Sequence, residues 1–174
     1  LNVGRGPVVD EQALYDALAQ RRIGGAIIDT WYQYPQPGTP EHRQCRFWIH
    51  YAEGSLMNWL VMKLVFLTIP TQPMPFFVRP IARTLCEQVQ KKLIDPNLST
   101  ALEFMEGHLA QHRWFAGEHL SMADFQMSFA VEAALSRTDA AAPHPHLKAY
   151  LQRMQQRPAY QRALAKGGPV VMGA

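Results

Sequence analysis

The spacing of apolar positions along this chain changes character near Pro35–Gly38, and the change divides it. Leu1-Asn2-Val3 reads as the end of a buried strand, cut short by Gly4-Arg5-Gly6. Asp10 is placed to cap a helix on which Leu14 and Leu18 fall four apart on one face. Arg21-Arg22 suit the negative end of that helix, and Gly24-Gly25 supplies a left-handed stop. Ala26-Ile27-Ile28-Asp29 reads as a second strand, apolar as a strand covered on both faces would be. Residues 1–35 thus predict one short βαβ unit.

From Glu41 onward the pattern is helical. Phe47 and Tyr51, then Leu56, Leu60, Leu64 and Leu67, recur at three- and four-residue spacing, with Lys63 off that face. Pro70, Pro73 and Pro75 mark a loop. A second helix carries Phe77, Ile81, Leu85, Val89 and Leu93 one turn apart. Asp95-Pro96-Asn97 is expected to break it and cap a third, on which Leu98, Leu102, Met105 and Leu109 align. The sharpest local signal is Leu120-Ser121-Met122-Ala123-Asp124-Phe125. Ser121 is expected to accept from the Asp124 amide while Asp124 reaches back to the Ser121 amide; Leu120 and Phe125 stand at the two positions of a hydrophobic staple. Such a cap is worth about 1 kcal/mol. The helix it starts, Met122 to Leu135, is apolar nearly all round, the pattern of a central, buried helix.

Composition narrows the function classes. The 174 residues are 48% hydrophobic and 18% charged, an ordinary globular balance. The net charge of +3 is spread over scattered single basic residues, apart from Arg21–Arg22 and Lys91–Lys92, so no nucleic-acid stripe emerges. Cys45 and Cys86 are too few for a disulfide framework and lack metal spacing, which points to reduced thiols and a cytoplasmic setting. The run Leu56 to Pro70, interrupted by Asn58 and Lys63, falls short of the roughly 20 residues a membrane span needs. The chain opens on Leu1 with no signal peptide, and reads as a fragment or an internal excision.

Two family resemblances follow from the words themselves. NVGRGPVVDEQALYDAL…RIGGAIIDTWYQYP resembles the late part of the nucleotide-binding domain of D-2-hydroxyacid dehydrogenases. By that resemblance Arg5 would grip a substrate carboxylate, and Asp29 would hold the nicotinamide end of NAD. The family's orienting acid is replaced here by Tyr34, and Gly4-x-Gly6 is followed by Val9 rather than a third glycine. The histidines of Pro143-His144 and Pro145-His146 read as a loop leading into a helix. HYAEGSLM at His50–Met57, WFAGEHLSMADFQMSF at Trp114–Phe129 and PHLKAYLQRMQQRPAYQRAL at Pro145–Leu164 resemble the all-α carboxy-terminal domain of glutathione S-transferases. In that family a preceding thioredoxin-like domain binds glutathione and activates its thiol, while the helical domain supplies most of the electrophile pocket and part of a dimer contact.

Several residues are candidates for chemistry. Tyr51, Glu53, Ser55 and Met57 lie on the helix that, by the resemblance, would face the glutathione-binding domain. Tyr51 and Met57 fit either an electrophile pocket or the core, and Glu53 and Ser55 fit glutathione, a partner subunit or solvent. Trp48 and Trp59 fit packing better than a cleft. His108 and His112 have metal-compatible spacing, but no acid and no third ligand join them, so no metal is expected. Ser121 and Asp124, which would pass for a hydrolase pair, are explained by the cap. Cys86 reads as a small buried hydrophobe and Cys45, near a helix start, as the more reactive thiol.

The expected fold is mainly α: a glutathione S-transferase C-terminal-like helical bundle over 44–167, preceded by the stub of 1–35 and a junction at 36–43, with 168–174 as a tail. The resemblance implies a glutathione transferase that takes glutathione as co-substrate and a small electrophile. It needs no bound cofactor, and is inactive alone for want of the thiol-activating domain. The alternative is a non-enzymatic helical module that dimerises or meets a partner through an exposed face. A third reading is the remnant of an NAD-dependent dehydrogenase. No nucleic acid and no membrane is expected as a partner.

Overall fold

The computed structural model describes residues 9–27, 36–137 and 143–168. The chain divides into two compact units, Leu1–His42 and Arg43–Ala174.

In the first unit the helix α1, Glu11–Ala19, is capped as its sequence dictates: the Asp10 carboxylate accepts the Ala13 amide at 2.7 Å. Its far end differs from expectation. Arg21, not a glycine, takes the left-handed conformation, with φ at 54°. The Arg21 amide bonds the Leu18 carbonyl and the Arg22 amide the Ala17 carbonyl, a closing pair that satisfies the last carbonyls within the arginines themselves. Gly24 and Gly25 therefore lie beyond the stop rather than forming it. Ala26 and Ile27 belong to no strand, and the other strand positions, 1–3 and 28–29, lie outside the described residues. Thr39 closes the unit by accepting the His42 amide through its hydroxyl, with Pro40 at the first helical position.

The second unit is all helix among the described residues, with one isolated bridge between Trp114 and Gly117. α2 (Pro40–Tyr51) passes through a π turn (Ala52–Leu56) into α3 (Met57–Thr68) and a 3-10 turn (Ile69–Thr71). α4 (Arg79–Val89) passes through a second π turn (Gln90–Ile94) into α5 (Asp95–Leu109). α6 (Met122–Arg137), α7 (Pro145–Gln155) and α8 (Pro158–Gly167) complete the bundle.

Both π turns have a cause in residue spacing. Trp48, Ala52, Leu56 and Leu60 are all buried and all four apart, as are Cys86, Gln90, Ile94, Leu98 and Leu102. At 3.6 residues per turn, a strict four-residue stripe drifts around an α-helix by about 40° per step. A wider turn takes up that drift and keeps each stripe on the core. The second π turn also disposes of the expected break at Asp95-Pro96-Asn97. Pro96 lacks an amide and crowds the preceding turn, and the widened backbone, with the Asp95 amide on the Gln90 carbonyl, lets the helix continue through it. The Asn97 side chain donates to the Leu93 carbonyl at 2.7 Å.

That continuity shifts the core register by one residue from the expected stripe. Ile81 and Leu85 are 68% and 63% exposed, and Phe77 and Leu93 are exposed with them; Cys86, Gln90 and Ile94 face inward instead. Leu98, Leu102, Met105 and Leu109 are buried as expected. α6 runs through the middle, burying Ala123, Met127, Ala130, Val131, Ala133 and Ala134, yet it leaves Met122, Phe125 and Phe129 exposed along one side. The residues from Pro40 to Thr71 make one 32-residue rod, long and apolar enough by length and composition to cross a bilayer, where the sequence suggested a shorter run. Its Trp48–Leu60 stripe is committed to the core of the bundle, but only 17% of the apolar window is buried.

Candidate functional site

The bundle is locked by one carboxylate. Asp124, fully buried, accepts the Ser121 amide at 2.8 Å and the Ser121 hydroxyl at 2.9 Å on one oxygen, and the Phe115 amide at 2.9 Å on the other. The cap is only half of the expected kind. The Ser121 hydroxyl donates to Asp124 rather than accepting, and the Asp124 amide goes to the Ser121 carbonyl. Leu120 packs against the core, whereas its staple partner Phe125 is 44% exposed. Burial pushes the Asp124 carboxyl up from the ordinary range, and the donors on it work against that shift.

The Phe115 carbonyl takes the other side of the clamp: it accepts from His108 Nε2 at 3.0 Å, which fixes the proton on that nitrogen. The His108 ring packs on Trp48 at 4.7 Å between centroids. Desolvation, and then the charge of His112, lower its pKa against the raising effect of the Phe115 bond. Tyr150 closes the set, donating to the Asp124 backbone carbonyl at 2.8 Å, with burial pushing its phenol up. His108 and His112 thus have packing roles, and no group of three potential metal ligands exists among the described residues. Gly117, at φ 125°, makes the tight Trp114–Gly117 turn that presents Phe115 to both partners.

The start of α7 is capped from a distance. Glu106 of α5 accepts the His146 and Leu147 amides, each at 2.9 Å. The two prolines and His144 lead into this helix start, as expected. Nothing in the sequence near 143–147 names Glu106, because the pairing spans some 40 residues.

An open cleft of about 680 Å³ lies beside the first π turn, lined by Ile49, His50, Glu53, Gly54, Asn58 and Gln126. Of the four residues singled out on this helix, Glu53 lines it, accepting from the Gln126 side chain at 2.6 Å. Tyr51 is half-buried instead among Phe47, Trp48 and Phe104, with centroid distances of 5.7, 5.2 and 5.6 Å; burial raises its phenol pKa. Met57 packs against the core and Ser55 is exposed outside the cleft. Asn58 donates to the Gly54 carbonyl at 2.8 Å and steadies the widened turn. The lining offers a carboxylate, an imidazole and amides for polar contacts, but no hydroxyl or thiol nucleophile. Cys45, expected to be the more reactive thiol, is buried in the core beside Trp48, which shields it from reagents.

These features define an all-helical domain with a buried capping aspartate. The sequence profile of the glutathione S-transferase C-terminal domain matches residues 58–158, and the chain belongs to that family. The profile of the NAD-binding domain of D-isomer-specific 2-hydroxyacid dehydrogenases matches residues 1–50, so the chain joins two unlike segments. Among curated relatives, glutathione S-transferase 3 of Schizosaccharomyces pombe is 29% identical over 126 residues, 72% of this chain and 52% of its own. The chain therefore spans about half the length of that relative. Glyoxylate/hydroxypyruvate reductase A of Arabidopsis thaliana is 51% identical over 41 residues, 24% of this chain and 12% of its own. A solved glutathione S-transferase from Actinobacillus pleuropneumoniae shares the fold, at TM-score 0.51 and 20% identity, over 89% of this chain and 60% of that one. Arg5 and Asp29, the residues that would carry the dehydrogenase chemistry, lie outside the described residues.

Proposed function

We propose that the helical unit is the half of a glutathione transferase that receives the electrophile, at the cleft beside the first π turn. The observation that carries this reading is the widened turn itself. It sets Glu53 and Gly54 against Gln126 of α6 and opens a concave surface in a member of a transferase family. Glu53 would meet glutathione or a partner subunit there, with Ser55 exposed two residues on; Tyr51 and Met57, which do not line the cleft, would hold the helix behind it. Because the lining has no hydroxyl or thiol to activate glutathione, conjugation by this chain alone is slow. The buried free thiols Cys45 and Cys86 support a reducing, cytoplasmic setting.

Calorimetric titration with glutathione, followed by a conjugation assay with an activated aryl halide, tests the reading. Binding at or below about millimolar supports it; no binding leaves the family name as ancestry alone. The similarity to reductases covers 12% of the reductase's length and gives no ground for proposing hydride transfer.

A second reading, a helical module that pairs with another copy or partner, is favoured by one specific observation. Val61, Val65, Leu67 and Ile69 on one rod, and Phe77, Ile81, Leu85 and Leu93 on the next, are all exposed. Soluble proteins seldom leave large apolar patches open to water, so these side chains are candidates for burial against another copy or a partner. Sedimentation equilibrium tests this: a monomer at all concentrations rules out self-pairing.

A further inference from the structure

The cleft beside the first π turn is lined by hydrogen-bond acceptors and by no cationic side chain of Lys or Arg. Glu53 and Gly54 come from the turn itself, Asn58 from the first turn of α3 and Gln126 from α6. Both amides have committed a nitrogen. Asn58 donates to the Gly54 carbonyl at 2.8 Å, and Gln126 donates to one Glu53 oxygen at 2.6 Å. Those bonds fix which end of each amide carries the oxygen. Among the described residues, the Asn58 Oδ1, the Gln126 Oε1 and the second Glu53 oxygen then have no partner. Glu53 also belongs to neither ion pair of the described residues. Its carboxylate is held in place from a different helix, so its charge stays at the cleft. The lining thus carries one uncompensated negative charge with amide oxygens beside it, and Ile49 as an apolar wall. Each amide keeps one further N–H, so hydrogen bonding alone would admit neutral ligands; the charge is what selects.

We propose that this cleft takes a small organic cation with N–H donors, a primary alkylammonium or a guanidinium. Its charge meets Glu53 and its N–H groups meet the amide oxygens, bonds strengthened by the charge on both sides. On the electrophile reading above, on which this rests, the preferred co-substrate carries such a cation, and Glu53 serves that molecule rather than glutathione. The volume of about 680 Å³ is in the range of small-molecule sites. An anion would meet the carboxylate at like charge, and a neutral ligand would leave that charge unanswered. A quaternary ammonium would answer it without an N–H; only a cation with N–H donors uses both the charge and the oxygens.

The test uses the full chain and benzylammonium, beside benzyltrimethylammonium, which has the charge but no N–H, and benzyl alcohol, which has no charge. Binding is read by NMR from the Gly54 backbone amide and the Asn58 and Gln126 side-chain amides. Benzylammonium is expected to bind more tightly than either analogue and to stay bound when glutathione is added. Glu53→Gln keeps an acceptor for Gln126 but removes the charge; it is expected to weaken benzylammonium about tenfold, the value of one charge-assisted bond. Gly54→Leu tests the place rather than the charge. A Cβ built there meets nothing within 4 Å, so the turn accepts a side chain that takes up ligand space, and binding is expected to be lost. Equal binding of either analogue, no effect of Glu53→Gln or of Gly54→Leu, or displacement by glutathione would each overturn the proposal. A chain that binds benzylammonium but not glutathione would keep the cation site and lose the transferase reading.

Discussion

The carboxylate of Asp124 reaches nine residues back along the chain to hold the Phe115 amide at 2.9 Å, while its other oxygen holds the start of its own helix. One side chain therefore caps α6 and pins the loop between α5 and α6. Asp124→Ala would leave the Phe115 and Ser121 amides without acceptors. At about 1–3 kcal/mol per unsatisfied buried group, a loss of roughly 2–6 kcal/mol is expected in urea unfolding. Asp124→Asn keeps the shape but turns an amino group toward one of these donors, and should fall between. A loss under 1 kcal/mol for the alanine variant would contradict the double role.

Glu106 caps α7 across some 40 residues. Glu106→Ala should destabilise the unit by about 1–2 kcal/mol, the range of a lost N-cap strengthened by the helix dipole. Hydrogen exchange localises the effect: the His146 and Leu147 amides should lose protection first. If protection falls evenly across the bundle instead, the carboxylate is not a local cap.

The His108 imidazole is lowered below its ordinary value of about 6.5, chiefly by burial, so the fold favours its neutral form. Below that value the unfolded chain takes up a proton that the folded chain refuses. Stability is therefore full above about 6.5 and is lost as the pH falls through the lowered folded pKa. His108→Gln keeps a donor for the Phe115 carbonyl but cannot titrate. The drop in Tm from about pH 7.5 to 5.5 should be smaller in that variant than in the parent; parallel curves would assign the pH effect to other groups.

Register decides which leucines matter. Leu98→Ala, in the core, should cost about 2–5 kcal/mol, while Leu85→Gln, on the exposed stripe, should change stability by less than about 0.5 kcal/mol. Chemical denaturation of the two variants side by side reads this directly. Similar losses at both positions would mean that the Leu85 face is covered in solution, which is also the outcome favouring the pairing module.

Much of the architecture was legible in the sequence, for physical reasons that can be named. Local chemistry fixed the helix starts at Asp10 and Ser121, since a capping side chain acts within three residues of its own backbone. Periodicity fixed the helical class and the stripe Leu98–Leu109, and the words at His50–Met57 and Trp114–Phe129 carried the family. Other features depended on partners distant in the chain. The expected stop at Asp95-Pro96-Asn97 yielded to a π turn because Ile94 and Leu98 must both face α5's neighbours, and packing outweighed the propensity of one proline. The same packing chose the Cys86–Gln90–Ile94 stripe over its neighbour one residue away, two patterns that the sequence alone leaves in competition. The Glu106 cap and the Phe115 clamp were set only in three dimensions. The sequence by itself determined which segments are helical and how they begin. Which face each helix buries, and which distant groups cap and clamp it, was decided by tertiary packing, because burial is a property of the assembled core rather than of any local segment.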